Sequence, residues 1–237
     1  MSKVKPQTII SPTAEEYSEA HSTMPSTTLQ EIERWAHLNT PQPRMLAGAW
    51  QGELLRLLSL MLMPRLAVEV GSFVGYSTIC LAAGATMLHA IEVDSERENQ
   101  ILKNLNKAGL ADRVTLHIGD AHTVLPTLPN EIDLAFVDAD KQHTQDYYDL
   151  IIPKLSPGGI LLIDNVLWSG KVLSASQPCN PEAITSSEET RETDADTAAV
   201  LHLNDYIQHD SRVENILIPV RDGLMLCRKI PSYSQTT

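Results

Sequence analysis

From Gly71 onward the chain alternates short apolar runs with longer amphipathic segments, the pattern of a parallel sheet crossed over by helices. The runs are 66–70, 87–93, 114–118, 132–137 and 160–163. Each is continuously apolar rather than alternating, as expected of strands with both faces covered. Between them, 76–83, 95–108 with Gly109 as its stop, 121–128 and 141–155 read as helices, the last ending before Ser156, Pro157 and Gly158. Downstream, 213–220 and 224–230 flank a short Gly-containing link, which predicts an antiparallel hairpin at the sheet edge. Upstream, Trp50, Leu54, Leu57, Leu58, Met61 and Leu62 recur at helical spacing, so 47–63 is predicted to be a helix with this stripe in the core.

The whole chain of 237 residues then reads as one α/β domain. A segment at 1–44 precedes a core at 45–230, and the polar, acidic stretch 174–197 forms a surface loop. Apolar residues make up 43% of the chain, enough for a buried core. A formal charge of −12 repels phosphate backbones and anionic lipid at long range, which weighs against nucleic acid and membranes as partners. Cys80, Cys179 and Cys227 have no paired spacing, and the N-terminus lacks the apolar core of a secretory signal. A cytoplasmic protein is expected.

The stretch VEVGSFVGYST sets Glu69 near the end of the first strand, then Gly71 and Gly75 around a turn, then Ser77 at a helix start. Glycine lets the backbone approach a ligand, and helix-start amides favour anionic groups. The spacing is not GxGxxG, so a nucleotide cofactor carrying a carboxylate fits better than a pyrophosphate. Glu92 closes the second strand, about 20 residues beyond the glycine turn, where an acid binds ribose hydroxyls. Gly119, Asp120 and Ala121 follow the third strand, where adenine would lie. Asp94 and Asp120 also suit the simpler role of helix caps.

The fourth strand runs into VDADK, with Asp138, Asp140 and Lys141, and the fifth into Asp164 and Asn165. Neighbouring strand ends thus offer an all-oxygen set suited to a hard ion such as Mg²⁺, with positions left for substrate. His143 is a further candidate ligand. Lys141 beside a cation is expected to act as a general base, since a nearby positive charge and desolvation both favour the neutral amine. His89, His117 and His122 show no triad spacing and read as strand or surface residues.

Taken together, MLAG at 45–48, QG at 51–52, VEVGSFVGYST, IEVD, GDA, VDADK, IDNVLWSGKV and DGLMLCRK resemble the cation-dependent O-methyltransferase family, which includes catechol and caffeoyl-CoA O-methyltransferases, with a bacterial-type member as the nearest pattern. The resemblance implies a Rossmann-like class I fold, a seven-stranded and mostly parallel sheet with helices on both faces and an antiparallel C-terminal strand. It implies S-adenosylmethionine as methyl donor, Mg²⁺ or another divalent ion such as Mn²⁺ or Ca²⁺, and a homodimer with the helical 1–44 segment shaping substrate and dimer contacts. Carried over by position, Ala47, Glu69, Gly71, Ser72 and Ser77 hold the methionine part, Glu92 the ribose, and Ala121 lies by the adenine. Asp140 flanks the cofactor. Asp138 serves catalysis, cofactor and metal alike, Asp164 and Asn165 complete the metal set, Lys141 is the base, and Met45 and Trp168 border the acceptor. Plant caffeoyl-CoA enzymes carry Asn after that Trp, whereas this chain has Ser169. The expected acceptor is a small vicinal-dihydroxy aromatic. The alternative is a hydroxylated wobble uridine of tRNA, met by a local patch of Lys3, Lys5, Arg34, Arg44 and Arg65.

Overall fold

A computed structural model describes residues 10–175 and 194–231. The predicted runs all become strands: β1 (Leu66–Val70), β2 (Met87–Glu92), β3 (Val114–Ile118), β4 (Ile132–Val137), β5 (Leu155–Asp164), β6 (Val213–Ile218) and β7 (Leu224–Lys229). They form one seven-stranded sheet in the order β3-β2-β1-β4-β5-β7-β6. The first five are parallel, and β7 inserts antiparallel between β5 and β6. The class I arrangement expected from the sequence is therefore present.

The chain reverses its direction of travel across the sheet between the neighbours β1 and β4, and their carboxyl ends open the crevice where such sheets bind ligands. One face is packed by α2 (Thr27–Asn39), α3 (Gly48–Leu62), α4 (Tyr76–Ala82) and α5 (Glu98–Ala108). The other is packed by α6 (Ala121–Val124), α7 (Thr144–Ile151) and α9 (Ala195–Gln208). Two smaller helices, α1 (Pro12–Ala20) and α8 (Lys171–Ala175), lie before and after this core in the chain. No helix among the described residues is long and apolar enough to cross a membrane.

Four sequence expectations need correction. The helix expected over 141–155 is α7 alone, flanked by 3₁₀ turns at Lys141–His143 and Ile152–Lys154, where Pro153 removes a helix donor. Ser156, Pro157 and Gly158, expected to be a helix stop, lie inside β5. Its register against β4 jumps from Ile132↔Leu155 to Leu134↔Ile160, and the extra residues bulge out at a point where proline is tolerated. The ends of the acidic 174–197 stretch belong to α8 and α9, and 176–193 lies outside the described residues.

The fourth correction concerns α3. Its predicted core stripe faces outward at Leu57, Met61 and Leu62, which are 44%, 76% and 42% exposed, while Gln51, Gly52, Leu55 and Ser59 are buried. The physical reason is close helix contact. A Cβ on Gly52 would lie 2.6 Å from the Tyr76 ring, and one on Gly84 would lie 2.0 Å from the Ser59 carbonyl oxygen. Small and polar residues therefore face α4; of the predicted stripe, Trp50, Leu54 and Leu58 pack against the core while Leu57, Met61 and Leu62 are left on the outside.

Candidate active site

One half of the crevice is built at the end of β1. Glu69 is fully buried, and its Oε2 accepts hydrogen bonds from Ser72 Oγ at 3.0 Å and Thr78 Oγ1 at 2.5 Å. Burial pushes its pKa up to about 7, although the hydroxyls of Ser77, Thr78 and Ser72 pull in the other direction. Its Oε1 has no partner among the described residues. A buried carboxylate oxygen in that state is costly unless a donor fills the place, and an ammonium group is a suitable one. Gly71, at φ +93°, is required by packing: a Cβ there would lie 2.0 Å from the Asp138 carbonyl oxygen. Its bare backbone lets the turn after β1 lie directly on the end of β4.

At the end of β2, Glu92 is nearly buried, accepting from the backbone N–H of Phe73 at 2.7 Å and of Asp94 at 2.9 Å. Asp94 caps the following 3₁₀ turn and Asp120 caps α6, as the simpler reading of both acids expected. Ala121 is buried in the first turn of α6. Asp140 accepts from Tyr147 Oη at 2.9 Å and pairs with His143 Nδ1, so His143 is engaged by Asp140.

The other half lies at the ends of β4 and β5. Asp138 and Asp164 stand close enough that burial, and after it the Asp164 charge, push Asp138 up to about 7. Lys141 Nζ, almost entirely covered, sits 3.5 Å from Asp138 Oδ1. A buried and a partly buried carboxylate close together favour binding of a further cation, so this donor set fits a divalent ion. Among the described residues no three His, Cys, Asp or Glu side chains converge, so any such ion would rely on Asn165 and on ligands from outside the chain.

Gln51 was not singled out from the sequence for this role. Its Nε2 donates to Asp164 Oδ2 at 2.7 Å from the buried side of α3. Arg221 and Asp222 are likewise added by the fold. The arginine Nη1 donates to the Leu46 carbonyl at 3.0 Å, between Met45 and the buried Ala47, and its charge acts on Asp138. Asp222 accepts the Ser169 N–H, and burial raises its pKa. Asn165, Trp168, Ser169 and Arg221 all hold left-handed φ values between 46° and 63°. Such strain in residues with side chains gathers where surrounding structure fixes a functional loop. The Trp168 ring has the Lys141 and Lys171 ammonium groups 5.9 and 5.6 Å from its centroid, and its Nε1 is buried with no partner among the described residues. Met45 is half exposed beside this loop's neighbour Leu46.

Comparison with known proteins decides the family. Residues 19–230 match the O-methyltransferase family. The chain belongs to that family. It is 30% identical over 211 residues to a caffeoyl-CoA O-methyltransferase of Stellaria longipes, covering 85% of this chain and 83% of the relative. It is 31% identical over 222 residues to a probable caffeoyl-CoA O-methyltransferase of Dictyostelium discoideum, covering 90% of each. The methyltransferase PaMTH1 of Podospora anserina, solved with S-adenosylhomocysteine, superposes with a TM-score of 0.81 at 26% identity, over 97% of this chain and 99% of that one. TomG of Streptomyces achromogenes, an O-methyltransferase solved with S-adenosylmethionine, gives 0.77 at 26% identity, over 92% and 96%. The protein is thus an O-methyltransferase with the Rossmann-like methyltransferase sheet expected from its motifs.

Proposed function

We propose that this O-methyltransferase moves the methyl group of S-adenosylmethionine to one hydroxyl of a catechol-like acceptor. The observation that carries the reading is the meeting of Asp138, Asp164 and Lys141 at the ends of two neighbouring strands, beside the cofactor crevice. Structural relatives bound to S-adenosylmethionine or its product support the donor, and relatives named for caffeoyl-CoA support a phenolic acceptor.

In this reading Glu69 takes the ammonium of the donor on its unpartnered oxygen, with Ala47, Gly71, Ser72 and Ser77 around the methionine part. Glu92 binds the ribose, Ala121 lies by the adenine and Asp140 flanks the cofactor. Asp138, Asp164 and Asn165 would hold Mg²⁺ or a similar ion, which when bound makes a chelated phenol more acidic and fixes its angle. Lys141 removes the proton from the reacting hydroxyl, and Met45 and Trp168 border the ring. The phenolate oxygen forms a bond to the methyl carbon as the carbon–sulfur bond breaks, so alignment supplies most of the rate. The −12 charge and the pairing of Arg65 with Glu131 and Asp133, at the amino end of β1, favour a small acceptor over tRNA. The outward apolar face of α3 supports a homodimer, and the buried thiols of Cys80 and Cys227 suit a reducing cytoplasm.

The test is production of S-adenosylhomocysteine from S-adenosylmethionine and a panel of catechols, with Mg²⁺ or with EDTA. Metal-dependent turnover is expected. Lys141→Ala should lower kcat by about 10²- to 10⁴-fold while leaving S-adenosylhomocysteine affinity near wild type. Turnover indifferent to EDTA, to Lys141→Ala and to Asp164→Ala would overturn the assignment.

A further inference from the structure

Away from the crevice, two histidines that the reaction does not use meet on the edge of the sheet. His89 Nδ1 and His117 Nε2 lie 2.8 Å apart, with ring centroids 5.1 Å apart. They project from β2 and the edge strand β3, whose register pairs His89 with Thr115 and Ile91 with His117. Both rings are partly exposed. Met87, two residues before His89, shares its face by strand alternation, and its sulfur lies 3.9 Å from Thr115 Oγ1. Two imidazoles, a thioether and a hydroxyl therefore occupy one patch of a rigid sheet.

We propose that His89 and His117 form a two-imidazole site for a transition-metal ion of tetragonal preference, copper(II) above all, separate from the site of methyl transfer. Copper(II) leads the affinity order of divalent first-row ions at nitrogen donors, and two imidazoles with water in the remaining positions suit its tetragonal geometry. The 2.8 Å contact brings both rings within reach of one ion. Rotation of the rings turns both lone pairs to a common point, and the ring that donated the hydrogen bond shifts its proton to its other nitrogen, so both imidazoles stay neutral. Imidazole donors suit copper, whereas the all-oxygen set of Asp138, Asp164 and Asn165 suits hard ions. The two sites thus select different metals. With only two imidazoles from the chain, water fills the other positions, and a bound ion ties the edge strand β3 to β2.

The test titrates copper(II) into the full-length protein with Mg²⁺ in excess, reading affinity by calorimetry and ligation by electron paramagnetic resonance. One site with hyperfine coupling to two nitrogens is expected. His89→Gln and His117→Gln should each weaken it by about tenfold or more and reduce the coupling to one nitrogen, with Mg²⁺-supported methyl transfer unchanged. Unaltered coupling and affinity in both variants, or wild-type protein without two-nitrogen coupling, would overturn the proposal. Should His89→Gln fold poorly, His117→Gln on the edge strand decides the matter alone.

Discussion

Gln51 donates a 2.7 Å hydrogen bond to Asp164, and this links the buried side of α3 to a carboxylate at the end of β5. The amide occupies one oxygen, while Oδ1 accepts the backbone N–H of Asn165 at 2.7 Å. A carboxylate held at both oxygens is fixed in direction before any cation arrives. Gln51→Leu should weaken Mg²⁺ activation by about 10- to 100-fold with little change in S-adenosylhomocysteine binding. Activity titrated with Mg²⁺, beside calorimetry with the product, checks this.

Glu69 carries a pH prediction. Burial raises its folded pKa to about 7, above the unfolded value, so the protonated form is favoured by folding. Its contribution to stability is complete below the unfolded carboxylate pKa and is lost as pH rises through about 7. Cofactor-free wild type should therefore lose thermal stability over that window, and Glu69→Gln should flatten the part due to this residue. Because an ammonium partner needs the ionised form, S-adenosylmethionine affinity should rise with pH over the same range in wild type and not in the variant. Melting curves and calorimetry across pH measure both.

Gly71→Ala should be severe. The new methyl would meet the Asp138 carbonyl oxygen at 2.0 Å in a backbone conformation of φ +93°. Left-handed strain of about 1 kcal/mol adds to an overpacking cost of about 1–3 kcal/mol. Urea unfolding should report the loss, and Mg²⁺ activation should weaken because Asp138 is displaced.

The exposed apolar side chains of α3 predict association. Met61→Glu together with Leu57→Lys should convert a dimer to a monomer in sedimentation equilibrium, leaving the far-ultraviolet circular dichroism unchanged. A wild-type monomer at micromolar concentration would remove the dimer from the proposal.

The order of elements was legible because buried parallel strands need continuous apolar runs, and here each run from Leu66 to Ile163 is bounded by a helical segment. The acids were legible because strand ends in such sheets share one edge, which put Glu69, Glu92, Asp138 and Asp164 together before any coordinates. The α3 stripe was read correctly at Trp50, Leu54 and Leu58, which pack against the core, and misread at Leu57, Met61 and Leu62. Periodicity identifies an apolar face but not what covers it, and the close approach of Gly52 to Tyr76 turns one edge of that face outward. Pro157 was misread because a bulged strand tolerates a residue that a regular ladder rejects.

The sequence by itself determined the sheet, its crossover helices and the identity of the acids at its carboxyl edge, since these follow from local hydrophobic pattern and chain direction. Only the tertiary structure decided that Gln51 holds Asp164, that Arg221 reaches Leu46, that Gly71 lies on Asp138 and that His89 meets His117. Three of these pairs join residues 67 to 175 positions apart, and the fourth joins neighbouring strands. No local propensity encodes them. They are set by how the helices and loops close on the finished sheet.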